Sequence, residues 1–161
     1  MKLRDSRPAL TRQQELILDY WTSLCAEGQL PTRRQINPAR LGTALASTSL
    51  VQKEETGFRY RLTGSRLKGL FGNDGEKSLL AVIDDSISEA GSESLELTLE
   101  MGRPVTGSRR VGARWHCWLR LPFLDEDGQR SLVLCVDEFP ASFDAGPSET
   151  RDEELAERFV A

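Results

Sequence analysis

Residues 114–137 read Arg114-Trp115-His116-Cys117-Trp118-Leu119-Arg120-Leu121-Pro122-Phe123, then Leu124-Asp125-Glu126-Asp127-Gly128-Gln129, then Arg130-Ser131-Leu132-Val133-Leu134-Cys135-Val136-Asp137. Two apolar-rich runs flank a polar segment with a glycine near its end, which is the pattern of a β-hairpin. Closing the loop with Gly128 in a left-handed position pairs Leu124 with Gln129. The register that follows sets Cys117 opposite Val136, Leu119 opposite Leu134 and Leu121 opposite Leu132. All three pairs are apolar, so this face is expected to be buried. The other face receives His116 opposite Asp137, Trp118 opposite Cys135 and Arg120 opposite Val133. A slip of one residue would mix the two sets.

Outward from this hairpin the strand signals continue. Val105–Val111 is a further strand, with Pro104 at its start, where a missing N–H is tolerated. Ser47–Glu54 and Phe58–Leu62 flank the turn Glu54-Glu55-Thr56-Gly57 and form a second hairpin. Phe58, Tyr60 and Leu62 alternate with Arg59 and Arg61, as a half-buried antiparallel strand requires.

Helical spacing frames these strands. Leu16, Ile17, Tyr20, Trp21, Leu24 and Cys25 draw one apolar stripe, predicting a helix over 11–27. Thr11 and Gln14 have capping-box spacing, and Gly28 stops the helix. Pro38 opens a short helix over 38–45, and Leu67, Leu70 and Phe71 mark another over 64–74. Leu95, Leu97 and Leu99 alternate as in a strand. Over a longer span, Leu80, Ile83, Ile87, Ala90, Ser94, Leu97 and Met101 fall at threes and fours, which favours a helix over 84–101. Residues 1–10 are expected to be a flexible N-terminus and 140–161 a flexible acidic tail, leaving 11–139 as one domain.

Composition narrows the function classes. The 161 residues, 39% of them hydrophobic, suit one domain able to bury its own core. A net charge of −4 disfavours general nucleic-acid binding. Arg33-Arg34, Arg59/Arg61 and Arg109-Arg110 are scattered points rather than one basic stripe. Glycine-rich phosphate loops are absent, as is any apolar run near the ~20 residues of a membrane helix. Cys25, Cys117 and Cys135 lack C-x-x-C spacing, so no metal site or disulfide framework is expected, and the compartment expected is a reducing cytoplasm. His116 is the single histidine. Paired with Asp137 it has the chemistry of a general base, but no nucleophile falls beside it in the sequence. A surface ion pair is the expected role, and no enzyme activity is assigned.

The element order, with three local phrases, resembles a known family. Leu30-Pro31-Thr32-Arg33 through Ile36-Asn37-Pro38, Phe58-Arg59-Tyr60-Arg61-Leu62-Thr63-Gly64-Ser65, and Leu119-Arg120-Leu121-Pro122-Phe123 with Asp127-Gly128 are similar to segments of the small stand-alone PAS-domain proteins common in alphaproteobacteria. The resemblance implies an α+β fold: a PAS-like five-stranded antiparallel sheet with a helical crossover and an N-terminal helix. It implies a sensory or regulatory module working through protein contacts, with no shared catalytic residue; no cofactor is expected, because residues 64–102 hold neither the histidine by which some PAS relatives bind haem nor the cysteine a flavin photosensor would use. A ligand-free interaction module is the alternative. The chain departs from the pattern after Phe71-Gly72, where Asn73-Asp74-Gly75-Glu76 replaces the usual turn.

Two sites are expected on this basis. Phe58, Tyr60, Leu62, Leu119 and Leu134 should face the crossover helices and line a pocket for a small apolar ligand, or fill the core there. Tyr20, Trp21 and Leu24 should cover the outer sheet face around Trp115 and Trp118, within one chain or across a homodimer. The partners expected are a second copy, a signalling protein and a small molecule, with no nucleic acid and no membrane.

Overall fold

The computed structural model describes residues 9–67 and 93–144. An α-helix, α1 (Arg12–Leu24), leads through short 3-10 turns to β1 (Thr48–Glu54) and β2 (Gly57–Thr63). A helix over residues 93–101, here α2, precedes β3 (Val105–Val111), β4 (Arg114–Leu124) and β5 (Arg130–Glu138). The strands form one antiparallel sheet in the order β2-β1-β5-β4-β3. This is the α+β, five-stranded antiparallel architecture with an N-terminal helix that the resemblance implies.

Local chemistry sets the elements. Thr11 caps α1 through a reciprocal capping box with Gln14. The helix ends at Leu24, before the 27 expected, and Glu27 and Gly28 follow with positive φ. Pro38 opens a 3-10 stretch (Pro38–Ser47), and the Asn37 side chain accepts from the Ala39 N–H. Pro31 and Thr32 dock on the far end of β4, where the Leu124 N–H donates to the Pro31 carbonyl at 2.9 Å. Pro122 stands on β4 beyond the last β3 partner, Arg120, where a missing donor is tolerated. Gly64 approaches the chain closely, since a Cβ there would run into the Ala46 carbonyl.

Helical residues 93–101 agree with the longer of the two periodicities, while 84–92, and all but 64–67 of the helix expected at 64–74, lie outside the described residues. So do residues 1–8 and 145–161 of the two expected flexible ends.

The sheet separates two cores. On one face, Ile17 and Trp21 of α1 pack with Leu50, Leu119, Leu121, Phe123, Leu132, Leu134 and Val136. On the other, Leu95 and Leu99 of α2 pack with Val51, Tyr60, Leu67, Val133 and Cys135.

The expected register of the last hairpin is corrected by two residues. Leu119 lies opposite Val136, Leu121 opposite Leu134, and Trp118 opposite Asp137. The cause is the turn: Asp125 accepts from the Asp127 and Gln129 N–H groups, and a bulge at Phe123/Leu124 sets Leu124 opposite Arg130. A shift of two preserves the faces, so the residues expected to share a face do share it.

Candidate functional site

The five residues expected to line one pocket are divided by the sheet. Phe58 and Tyr60 lie on the α2 face, and Leu119 and Leu134 lie beneath α1. Leu62 is 59% exposed. A bulge breaks the alternation of β2: Leu50 faces Leu62 and Val51 faces Tyr60, leaving Arg61 without a partner in the ladder. That extra residue turns Leu62 to the opposite face from Tyr60.

The expected surface of Tyr20, Trp21, Leu24 and Trp118 is corrected in the same way. Trp21 is buried beneath α1, where its indole donates to the Pro122 carbonyl at 3.0 Å. Tyr20 and Leu24 pack partly against that core. Trp118 is buried on the α2 face instead. Alternation identifies which residues share a face, but the chain path decides which helix covers it.

The α2 face carries the polar centre of the molecule. His116, Trp118 and Arg120 are successive residues on one face of β4, and Asp137 of β5 lies opposite Trp118. Arg120 grips Asp137 with both terminal nitrogens, Nη2 to Oδ1 at 2.8 Å and Nη1 to Oδ2 at 3.0 Å. His116 Nε2 meets Oδ1 of the same carboxylate at 2.7 Å. All three side chains are buried, with 1%, 3% and 3% exposure for His116, Arg120 and Asp137. The pairing of His116 with Asp137 therefore exists, but diagonally and in the interior, not as a surface ion pair.

Burial alone would raise the Asp137 carboxyl. The Arg120 charge and the hydrogen bonds from His116 and Arg120 outweigh it and hold the group well below the usual carboxylate range. Burial likewise disfavours the Arg120 charge, but Asp137 restores it and keeps the guanidinium fully charged. Asp137 thus accepts as a carboxylate, so His116 donates to it through Nε2. Among the described residues, His116 Nδ1, Trp118 Nε1 and Arg120 Nε are buried without a hydrogen-bond partner.

Aromatic rings wall this cluster. His116 stacks on Phe139 at 4.7 Å and 12°, and lies tilted against Trp118 at 5.1 Å. The Trp118 indole lies across Gly107 of β3, where a Cβ would collide with it. The Cys135 thiol, on the same face, is pushed up to about 12 by burial, despite the nearby Arg120 charge, so it stays protonated and is a poor nucleophile.

Arg120 is the participant that sequence reading passed over. The available signal was a charge opposite to that of Asp137 in the same alternating row as His116. The two-residue change of register brings it opposite Cys135, next to Asp137 on β5.

Behind the cluster, α1 is tied to the same strands. Gln14, 1% exposed, donates from Nε2 to the carbonyls of Cys117 at 3.1 Å and Val136 at 3.2 Å. Those carbonyls belong to the residues immediately after His116 and immediately before Asp137. Thr11 donates to Glu138 Oε1 at 2.6 Å, on the other side of Asp137 along the chain.

Among the described residues no helix is long and apolar enough to cross a membrane. No curated protein was found to match the chain. A family model described as a PAS domain matches residues 10–97, more than half of the chain. The match runs from α1 through β2 into α2, whereas His116, Arg120 and Asp137 lie beyond it. With a sheet of five antiparallel strands behind an N-terminal helix, and a family match over more than half its length, the chain belongs to the PAS domain family.

Proposed function

We propose that the chain is a sensory and regulatory module that receives its signal on the α2 face of the sheet and delivers it through α1 to another protein. The observation that carries this reading is the bond from Gln14 to the carbonyls of Cys117 and Val136. One side chain of α1 holds the backbone on both strands at the point where His116 and Asp137 project to the opposite face. A change in the packing or hydrogen bonding of the cluster shifts those carbonyls, and α1 responds because the buried Gln14 amide is bonded to both of them. Such a response is a shift between two pre-existing seatings of the helix.

The role is regulatory rather than catalytic. His116 Nε2 and both Arg120 terminal nitrogens are committed to Asp137, and the neighbouring Cys135 thiol is not activated. The outward side of α1 offers Leu16, 60% exposed, as a contact for a second copy of the chain or for a signalling protein. The free cysteines suit a reducing cytoplasm.

Native mass spectrometry of the full chain, compared with its denatured mass, tests the sensing role. Mass that survives native ionisation and leaves on denaturation supports a resident small molecule. A bare chain whose oligomeric state is insensitive to His116→Ala favours the alternative, an interaction module that senses nothing.

A further inference from the structure

Charge is unevenly distributed along the last third of the chain. Residues 101–124 carry five arginines and no carboxylate, whereas residues 149–157 hold five carboxylates and one arginine. Arg120 is paired with Asp137 in the interior. Arg109, Arg110 and Arg114 are exposed at the corner where β3 turns into β4. Among the described residues, none of these three has a carboxylate partner.

The chain leads towards this corner. After β5, the Trp115 N–H donates to the Pro140 carbonyl at 2.9 Å, and the Phe143 ring lies 6.2 Å from that of Trp115. The Arg110 guanidinium lies over the same Trp115 ring, 5.9 Å from its centre. Arg114 Nη1 donates to the Phe139 carbonyl at 2.9 Å, which leaves its other N–H groups for an anion. Residues 145–161 follow directly, outside the described residues. The other basic points suit them less. Arg59 already faces Glu54 at 3.8 Å, and Arg61 donates to Gln52. Arg33 and Arg34 follow Thr32, which bridges to Leu124 at the far end of β4.

Among the described residues β3 ends the sheet, with β4 as its only strand partner. The register puts Arg110 on the Trp115 face and Arg109 with Arg114 on the His116 face. An extended segment along that edge points successive side chains to alternate faces, so consecutive Asp152, Glu153 and Glu154 reach arginines on both. A second copy presenting the same corner would bring like charges together. We infer that residues 149–157 of this chain dock on Arg109, Arg110 and Arg114 along the edge of β3. Tethering holds the segment at an effective concentration of about millimolar, so individually weak exposed ion pairs suffice. The contact shields the β3 edge from another chain, and a partner that uses this edge must displace the tail.

The test places a nitroxide spin label on the tail of the full-length ¹⁵N-labelled chain, through Thr150→Cys in a Cys25→Ser background. Paramagnetic broadening of backbone amides then reports where the tail lies. The expected result is broadening over residues 109–115 that exceeds any over residues 54–61. The tether alone brings the label near β4, so the contrast between variants decides. Neutralising the tail with Asp152→Asn, Glu153→Gln and Glu154→Gln should reduce the corner broadening about threefold. Arg109→Gln with Arg110→Gln should do the same, with unchanged amide shifts in α1 and β5 as the check on folding. So should about 0.5 M sodium chloride, where screening acts within about 4 Å.

Corner broadening that survives neutralisation of the tail reports the tether alone and overturns the inference. Equal broadening around Arg59 and Arg61 overturns it as well, since the tail would then have no preferred arginines. A mixed sample, with the label on an unenriched chain and ¹⁵N on an unlabelled one, separates the remaining occupant. Broadening there as strong as in the singly prepared chain would assign the corner to the tail of a second copy and overturn the intramolecular contact; its absence, with the charge dependence above, supports it.

Discussion

Gln14 and Val136 are joined by a buried hydrogen bond of 3.2 Å from the side chain of α1 to the backbone of β5, and the next residue along β5 is Asp137. The same Gln14 nitrogen reaches Cys117, the residue after His116. Helix and ionic cluster therefore share two stretches of backbone across the thickness of one sheet. In the function proposed above, this relationship is what would let the buried charge cluster move α1.

The cluster should be strongly coupled in stability. Asp137→Asn leaves the Arg120 guanidinium buried and uncompensated, and should cost about 3–5 kcal/mol in urea unfolding at pH 7. The double variant Arg120→Met with Asp137→Leu should recover most of that loss. The pH dependence has a definite sign. The carboxyl is held below its ordinary value, so its contribution is complete above the unfolded value of about 3.9 and is lost as pH falls toward the folded one. Unfolding between pH 7 and pH 3 should show the wild type losing stability below about pH 4, and Asp137→Asn should flatten that fall.

Trp118 depends on the absence of a side chain across the ladder. Gly107 lies opposite it on β3, and a Cβ there would meet the indole ring. Gly107→Ala should destabilise by about 1–3 kcal/mol and change the near-ultraviolet dichroism of the tryptophans. An unchanged spectrum with full stability would place the ring elsewhere.

Thiol reactivity should follow burial. Burial and the Glu138 charge push the Cys117 thiol up to about 12, and burial does the same at Cys135. Cys25, also raised by burial, is the least enclosed of the three. Labelling the native chain with N-ethylmaleimide at neutral pH should modify Cys25 first, and the other two only with unfolding, as read by mass.

Much of this arrangement is legible in the sequence, for identifiable reasons. Alternation along Arg114–Asp137 separates Leu119 and Leu121 from His116, Trp118 and Arg120 whatever the register, because an error of two residues leaves faces intact. The Thr11/Gln14 spacing marks the start of α1, although the burial of Gln14 is hidden, since a polar residue at the centre of a helix stripe looks like solvent-facing sequence. Gln14 replaces apolar contact with two strand carbonyls, while apolar Leu16 points outward. The pocket expected from Phe58, Tyr60, Leu62, Leu119 and Leu134 fails because periodicity carries no information about the bulge at Arg61 or about which helix meets which face. Arg120 is hidden by the same limit: a charge within a strand reads as solvated until its partner across the ladder is known.

Hydrogen exchange across α1 (Arg12–Leu24) in His116→Ala tests the central claim most directly. Val133→Ala, on the same face but away from the carbonyls that Gln14 holds, provides the reference for general loosening. The account predicts that His116→Ala speeds α1 exchange about tenfold more than Val133→Ala does, and that Gln14→Ala removes this difference. Equal α1 exchange in the two variants, with loosening confined to β4 and β5, would contradict it.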